Sequence, residues 1–148
     1  MARGDITTSI ERLFELWNAH DTAAMPELYA PGATIRDATN PDAPARGPEA
    51  IVARARMILG GFSDAKLERL STTVDGERAF IEWRFMGTHD GEFLRVPATG
   101  VSTENIGMSV VQFDSDGRAT SETAYWDAMR FLRETGVLPS AIAGALGS

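Results

Sequence analysis

The chain has 148 residues, of which 43% are hydrophobic, so it is long enough to form a domain with its own core. Its 14 basic and 21 acidic residues give a net charge of −7 without any cluster of Lys or Arg, which argues against nucleic acid and anionic membranes as partners. The sequence contains no cysteine, which excludes disulfides and thiolate chemistry. These properties favour a hydrophobic small molecule as the ligand.

The sequence also indicates how the chain is organised. No apolar run follows Arg3, and no stretch approaches the roughly 18 apolar residues of a membrane span, so we expect a cytoplasmic protein that does not enter membranes. No internal repeat, low-complexity segment or linker divides residues 1–148. The sequence therefore predicts one domain over its whole length.

Helices are predicted in the first part of the chain. Apolar residues recur there at the spacing of an amphipathic helix: Ile10, Leu13, Phe14 and Trp17. A short helix is expected at 25–29 and a strand at 33–37, followed by a proline-containing loop at 38–47. A second long helix is predicted at 48–61, because proline is favoured at a first helical position and a Gly-Gly pair ends helices.

From Phe62 onward the apolar residues follow a period of two, which is typical of strands. Strands are predicted at 67–73, 79–89, 106–113 and 120–127. Helices followed by an antiparallel meander indicate an α+β fold. We expect a cone-shaped α+β barrel, in which a curved antiparallel sheet wraps around three N-terminal helices and leaves an apolar cavity.

Several short blocks of the sequence occur in a characteristic order. The clearest blocks are Trp17-Asn18-Ala19-His20-Asp21, Arg46-Gly47-Pro48-Glu49, Gly87-Thr88-His89-Asp90-Gly91 and Tyr125-Trp126-Asp127. In order and spacing they resemble the SnoaL-like polyketide cyclases of the nuclear transport factor two superfamily, over about residues 6–139. That superfamily hosts isomerases, dehydratases, epoxide hydrolases and non-catalytic binders, so the resemblance implies the fold more strongly than the reaction.

Asp127 is the first candidate catalytic residue. The resemblance implies that an Asp directly ahead of the final helix acts as acid and base, and Asp127 holds that place at the end of an aromatic-rich strand. We expect it to be largely buried near His89 or Tyr125, where desolvation would raise its pKa. The alternative is that Asp127 only caps the helix. Related cyclases often carry a His-Trp pair shortly before this Asp, where this chain has Glu122-Thr123-Ala124.

His89 is the second candidate, because it shares one strand face with Trp83 and Phe85. A neutral imidazole there could donate a hydrogen bond to a substrate carbonyl, or it could tie down the turn that follows. Other residues are predicted to line the cavity and bind substrate: Trp17, Tyr29, Asp37, Trp83, Phe85, Met108 and Tyr125. Core packing would select the same aromatic types, and Asp37 could instead open the loop at 38–47.

The expected function is that of a polyketide cyclase in antibiotic biosynthesis, performing a cofactor-independent aldol-type ring closure. The alternatives are a ketosteroid-isomerase-like isomerase or dehydratase (lyase) and a non-catalytic dimeric binder of small ligands. Neither a metal nor a cofactor is expected, since the chain has two His, no Cys and no Gly-rich phosphate loop. A homodimer is expected through the open face of the sheet, where Phe80 and Val110 alternate with polar residues.

Overall fold

The computed structural model of the protein describes residues 3–138, which contain helices and one sheet. The α-helices are α1 (Arg3–Ala19), α2 (Gly47–Gly61) and α3 (Ala128–Glu134), and a 3-10 helix covers Met25–Leu28. The strands are β1 (Tyr29–Asp37), β2 (Ala45–Arg46), β3 (Lys66–Asp75), β4 (Arg78–Thr88), β5 (Ser102–Phe113) and β6 (Ala119–Trp126). This is the predicted α+β order, and no helix in the described part has the length and apolar character needed to cross a bilayer.

The strands form one curved, open sheet in the order β2-β1-β6-β5-β4-β3. The four predicted strands at 67–73, 79–89, 106–113 and 120–127 correspond to β3 to β6, which pair antiparallel as expected. The sheet also contains a parallel pair that the sequence did not predict, since β1 lies parallel to β6, with Asp37 beside Ala124. The long connection from β1 to β6 through β2, α2, β3, β4 and β5 allows this, since parallel neighbours require a crossover.

Two helices, α1 and α2, cover one face of the sheet. The largest cluster of buried side chains joins them to the strands: Ile6, Ile10, Ile35, Ile51, Ile81 and Val111. Burying one such aliphatic side chain contributes about 1.5–3 kcal/mol. A second buried cluster, containing Phe62, Phe93 and Phe131, lies where α3 meets the β4–β5 connection. The cavity described below is bounded by both clusters.

Gly107 on β5 has a packing role. A Cβ atom at this position would come within 2.4 Å of the Trp83 ring and 2.5 Å of the Tyr125 carbonyl oxygen. No side chain fits there, so the absence of one at Gly107 leaves room for the indole of Trp83. The glycine thereby places a large aromatic wall on the covered face of the sheet.

Candidate active site

A cavity of about 130 Å³ lies between the helices and the covered face of the sheet. Aromatic rings form much of its wall: Phe14, Trp17, Phe62, Trp83, Phe85, Phe93, Trp126 and Phe131. All three tryptophans of the chain are among them. A cavity of this kind suits a flat, largely apolar ligand, with the few polar groups setting its orientation.

The two central strands, β5 and β6, supply several of the polar side chains through the alternation of a pleated sheet. On β5 the inward positions include Asn105, Ser109 and Val111, and on β6 they are Glu122, Ala124 and Trp126. The residues between them point to the opposite face. Whether a residue of these strands reaches the cavity therefore depends on whether its number is odd or even.

Asp37, the last residue of β1, is the cavity carboxylate with the most donors. The Trp126 indole N–H donates to both of its oxygens, at 2.9 Å for Oδ1 and 3.0 Å for Oδ2. The backbone N–H and the hydroxyl of Thr39 also donate to Oδ1, at 2.9 and 2.6 Å. Asp37 thus lines the cavity and also opens the following loop, so both sequence alternatives hold. Oδ2 keeps the larger free acceptor capacity.

Arg54 on α2 brings a positive charge to the same place. Its Nη2 atom lies 3.7 Å from Oδ2 of Asp37, and the two side chains are 19% and 28% exposed. At that distance the pair attracts electrostatically but forms no strong hydrogen bond, so the guanidinium keeps donors for another acceptor. The cavity therefore holds a carboxylate and a guanidinium side by side, surrounded by aromatic rings.

A second group of polar side chains connects β4, β5 and β6. The Trp83 indole N–H donates to Ser109 Oγ at 3.1 Å, and the Ser109 hydroxyl donates to Glu122 Oε2 at 2.9 Å. Glu134 is a further cavity carboxylate, and Arg130 lies 3.5 Å from it on the same helix. Asp37 and Glu122 are thus the cavity carboxylates held by hydrogen bonds from tryptophan or serine side chains.

The structure brings Trp17, Asp37, Trp83 and Phe85 together in the cavity wall, as the sequence predicted. Tyr29 is buried but lines a separate small cavity of about 10 Å³. Burial, and secondarily the charge of Glu122, raises the pKa of the Tyr29 phenol, with Arg54 opposing the effect. Tyr29 therefore stays protonated throughout the physiological range.

The predicted cavity positions of Met108 and Tyr125 are wrong. They pair with each other across β5 and β6 on the outer face, where they are 38% and 52% exposed. The sequence interpretation assigned the wrong set of alternate residues to the inner face of both strands. Since successive side chains of a strand point to opposite faces, this places Met108 and Tyr125 on the outer face.

The predicted burial of Asp127 is also wrong. Its side chain is exposed, and it accepts a hydrogen bond from the Arg130 N–H at 3.0 Å, which caps α3. Its backbone N–H and carbonyl are bonded by the amide of Asn105, at 3.0 and 2.8 Å. Trp126 points inward, so the next side chain points away from the cavity. The capping alternative describes the observed position of this carboxylate.

His89 is fully buried, but it is absent from the cavity wall. Its ring packs against Phe62 and Phe131, at centroid distances of 5.5 and 5.3 Å, and Nδ1 lies 2.9 Å from Thr99 Oγ1. Its carbonyl oxygen accepts from the N–H groups of Thr99 and Gly100. The prediction that His89 faces the ligand is therefore wrong, because rings of the second cluster stand between them.

Sequence reasoning missed part of the site: Arg54, Asn105, Ser109, Glu122 and Trp126. The alternation on β6 could have found Glu122 and Trp126 if Trp126, rather than Tyr125, had been taken as inward-facing. No sequence pattern identifies Arg54 as a cavity residue, because it is a single charged residue on a helix. In residues 3–138 no three His, Asp or Glu side chains are placed to hold a metal ion.

The open sheet, its covering helices and the apolar cavity define a fold of the nuclear transport factor two and ketosteroid isomerase type. The sequence model of the SnoaL-like domain matches residues 10–122. The chain belongs to this SnoaL-like family. No curated protein matches the sequence significantly.

Solved structures support the same fold. A proposed SnoaL-like polyketide cyclase from Jannaschia sp. CCS1 is 22% identical, with a TM-score of 0.83 over 92% of this chain and 94% of that one. IdmH, a proposed polyketide cyclase from Streptomyces antibioticus, is 25% identical, with a TM-score of 0.76 over 88% and 98%. A protein from Catenulispora acidiphila with a ketosteroid isomerase-like fold, in complex with trimethylamine, is 17% identical, with a TM-score of 0.74 over 88% and 93%.

Proposed function

We propose that this protein is a cofactor-independent enzyme that enolises an apolar, polyketide-like carbonyl compound and closes a ring by aldol addition. Membership of the SnoaL-like family and the similarity to IdmH, a proposed polyketide cyclase, support this reaction class. The observation that carries the proposal is the juxtaposition of Asp37 and Arg54 in an aromatic cavity, with Nη2 and Oδ2 3.7 Å apart.

Asp37 is assigned the acid and base role that the family resemblance implied for Asp127. Oδ2 removes a proton from the carbon next to a carbonyl, and the electrons of the C–H bond move into an enolate. Arg54 stabilises the enolate oxygen in place of His89, because its guanidinium is permanently charged and retains free donors. The enolate carbon then attacks a second carbonyl of the same substrate, and protonated Asp37 returns the proton to the alkoxide formed.

The aromatic walls contribute through geometry. Ring closure requires the nucleophilic carbon and the second carbonyl to lie within contact distance, and a rigid apolar cavity selects folded conformers in which they do. Trp126 fixes Asp37 at 2.9 and 3.0 Å, so the base approaches the substrate from one direction. An isomerisation would begin with the same enolate, and a non-catalytic binder would use the cavity without it.

Deuterium exchange tests the enolisation step without the natural substrate. We expect the parent protein to accelerate exchange next to the carbonyl of 2-tetralone, a flat bicyclic ketone, in D₂O followed by NMR. Asp37→Asn keeps the shape and should lower the enzymatic rate by about 10²-fold or more. If 2-tetralone binds by calorimetry but exchanges equally fast with both proteins, the acid and base assignment is wrong.

A homodimer through the outer face of the sheet is part of the same proposal. Ile106, Met108 and Tyr125 on that face are 42%, 38% and 52% exposed. Sedimentation should give a dimer at micromolar concentration, and Met108→Glu should shift it towards monomer. A clean monomer of the parent protein would contradict the expectation.

A further inference from the structure

Glu122 on β6 takes no part in the enolisation described above, although it lines the same cavity. An indole N–H can only donate, so the contact from Trp83 fixes Ser109 Oγ as its acceptor. The hydroxyl proton of Ser109 is then directed to Glu122 Oε2, at 2.9 Å. This chain holds Glu122 as a hydrogen-bond acceptor in a fixed position.

The strand register separates Glu122 from Asp37. Asp37 pairs with Ala124 on the neighbouring strand, and Glu122 lies two residues before Ala124 on the same face. Two residues of a strand span about 7 Å. Glu122 also borders the small cavity that contains Tyr29, which places it on the inner side of the main cavity. A ligand that fills the cavity would therefore meet the two carboxylates at different points along its length.

Glu122 has acceptor capacity that the protein does not use. A carboxylate offers about four lone-pair sites, but within residues 3–138 Glu122 accepts a hydrogen bond from Ser109 alone and forms no ion pair. Its negative charge acts on the neighbouring phenol of Tyr29, contributing to the raised pKa of that group. A partly satisfied carboxylate beside apolar walls is costly, and a ligand donor would offset that cost.

We propose that Glu122, positioned by Ser109 and Trp83, accepts a hydrogen bond from a hydroxyl group at the inner end of the ligand. The ligand is then a flat carbonyl compound with a hydroxyl group at one end, and Glu122 selects it over analogues that lack the donor. This inference rests on the proposed function for the cavity being the ligand site and for the ligand being a carbonyl compound. It does not depend on the acid and base role of Asp37.

Two probes that share a ring system test the preference. Calorimetric titration at neutral pH compares 2-naphthol, which has a donor hydroxyl, with 2-methoxynaphthalene, which has none. The parent protein should bind 2-naphthol about tenfold or more tightly than the ether, since a hydrogen bond to a charged acceptor is lost. Equal affinity for the two probes would overturn the proposal.

Variants locate the acceptor. Glu122→Gln should reduce the preference several-fold by weakening 2-naphthol binding alone, and Glu82→Gln, on the outer face of β4, should leave it unchanged. Asp37→Asn should also retain it. If Glu122→Gln keeps the full preference, or Asp37→Asn abolishes it, the assignment to Glu122 is overturned. Should Glu122→Gln fail to fold, Ser109→Ala decides, because it removes the positioning hydroxyl and should lower the preference.

The enolisation proposal and this one fail separately. 2-Naphthol binding involves no proton abstraction from carbon, so loss of the donor preference leaves the deuterium exchange result standing. Conversely, absent exchange with an intact preference would retain the Glu122 site in a binding protein.

Discussion

Asp37 and Asp127 both lie where a strand of this sheet ends, yet their surroundings differ. Asp37 ends β1, lines the cavity and accepts from the Trp126 indole N–H at 2.9 Å. Asp127 directly follows β6, is exposed and accepts from the Arg130 N–H at 3.0 Å. Because β1 and β6 are parallel neighbours, the two residues lie at the same end of the sheet. Their surroundings differ because their side chains point in different directions.

The contrast shows that a carboxylate next to the final helix of this chain does not face the cavity, whereas the one that ends β1 does. Trp126 points inward and reaches Asp37, which obliges the next residue to point outward. The side chain of Asp127 therefore lies at the start of α3, where it accepts a hydrogen bond from the Arg130 N–H and caps the helix. Asp37 receives its donors from a neighbouring strand and a loop, which leaves its Oδ2 side open to a ligand.

The largest expected effect comes from filling the cavity beside Asp37. Ala124 is 3% exposed and lies between the inward-facing Glu122 and Trp126. Ala124→Phe should abolish 2-naphthol binding in calorimetry and cost about 1–3 kcal/mol of stability through overpacking. The matched control is Thr123→Phe on the outer face, which should bind like the parent. Equal binding by both variants would mean that the ligand site lies elsewhere.

A smaller effect is expected from removing the donor that holds Asp37. Trp126→Phe keeps an aromatic wall but loses the N–H group, so deuterium exchange of 2-tetralone should fall about tenfold. Tyr125→Phe, next to it on the outer face, should leave the exchange rate unchanged. If Tyr125→Phe slowed the exchange and Trp126→Phe did not, the inward and outward faces of β6 would have been assigned incorrectly.

Asp127 should affect stability and not chemistry. Asp127→Ala should lower the free energy of unfolding by about 1 kcal/mol, and Asp127→Asn should be close to the parent, because Asn caps about as well as Asp. Chemical denaturation followed by circular dichroism measures both. A loss equal for Ala and Asn would contradict the capping role.

The smallest effect concerns Asp90, a surface carboxylate two residues beyond β4. Hydrogen bonds from the Ser63 hydroxyl and N–H lower the pKa of Asp90. The pKa of Asp90 is therefore lower in the folded protein than in the unfolded chain, where it is about 3.9. The resulting stabilisation is present above the pKa of the unfolded chain and is lost as the pH falls through the pKa of the folded protein. Melting temperatures of Ser63→Ala should therefore decline less than those of the parent between about pH 5 and pH 2.5.

Ser115→Ala, in the exposed turn between β5 and β6, is the control for that pH series. It should follow the parent curve. If Ser63→Ala also follows the parent curve, the hydrogen bonds from Ser63 do not lower the pKa of Asp90.

Much of the fold follows from local patterns in the sequence. The two-residue period after Phe62 gave β3 to β6, and the helical spacing of Ile10 and Leu13 gave α1. The parallel pairing of β1 with β6 had no local signal, because it depends on where a long crossover returns the chain. The resemblance identified the family. The cavity residues could not be predicted as well, because both faces of β5 and β6 carry apolar residues and the sequence does not show which face points inward.

Trp83 and Phe85 were placed correctly because their strand alternates clearly between apolar and charged residues. Met108 and Tyr125 were misplaced because they are apolar residues on an exposed face. Arg54 and Glu122 could not be predicted from single charges in the sequence. They become site residues only through tertiary proximity to Asp37 and Ser109.

Deuterium exchange of 2-tetralone by Asp37→Asn and Asp127→Asn, measured under identical conditions, distinguishes the two carboxylates as the base. Both variants exchange one carboxylate for an amide of the same shape, and both proteins should fold. We expect a loss of about 10²-fold for Asp37→Asn and the parent rate for Asp127→Asn. A parent rate in Asp37→Asn together with a large loss in Asp127→Asn would contradict this expectation and return the catalytic role to the residue ahead of α3.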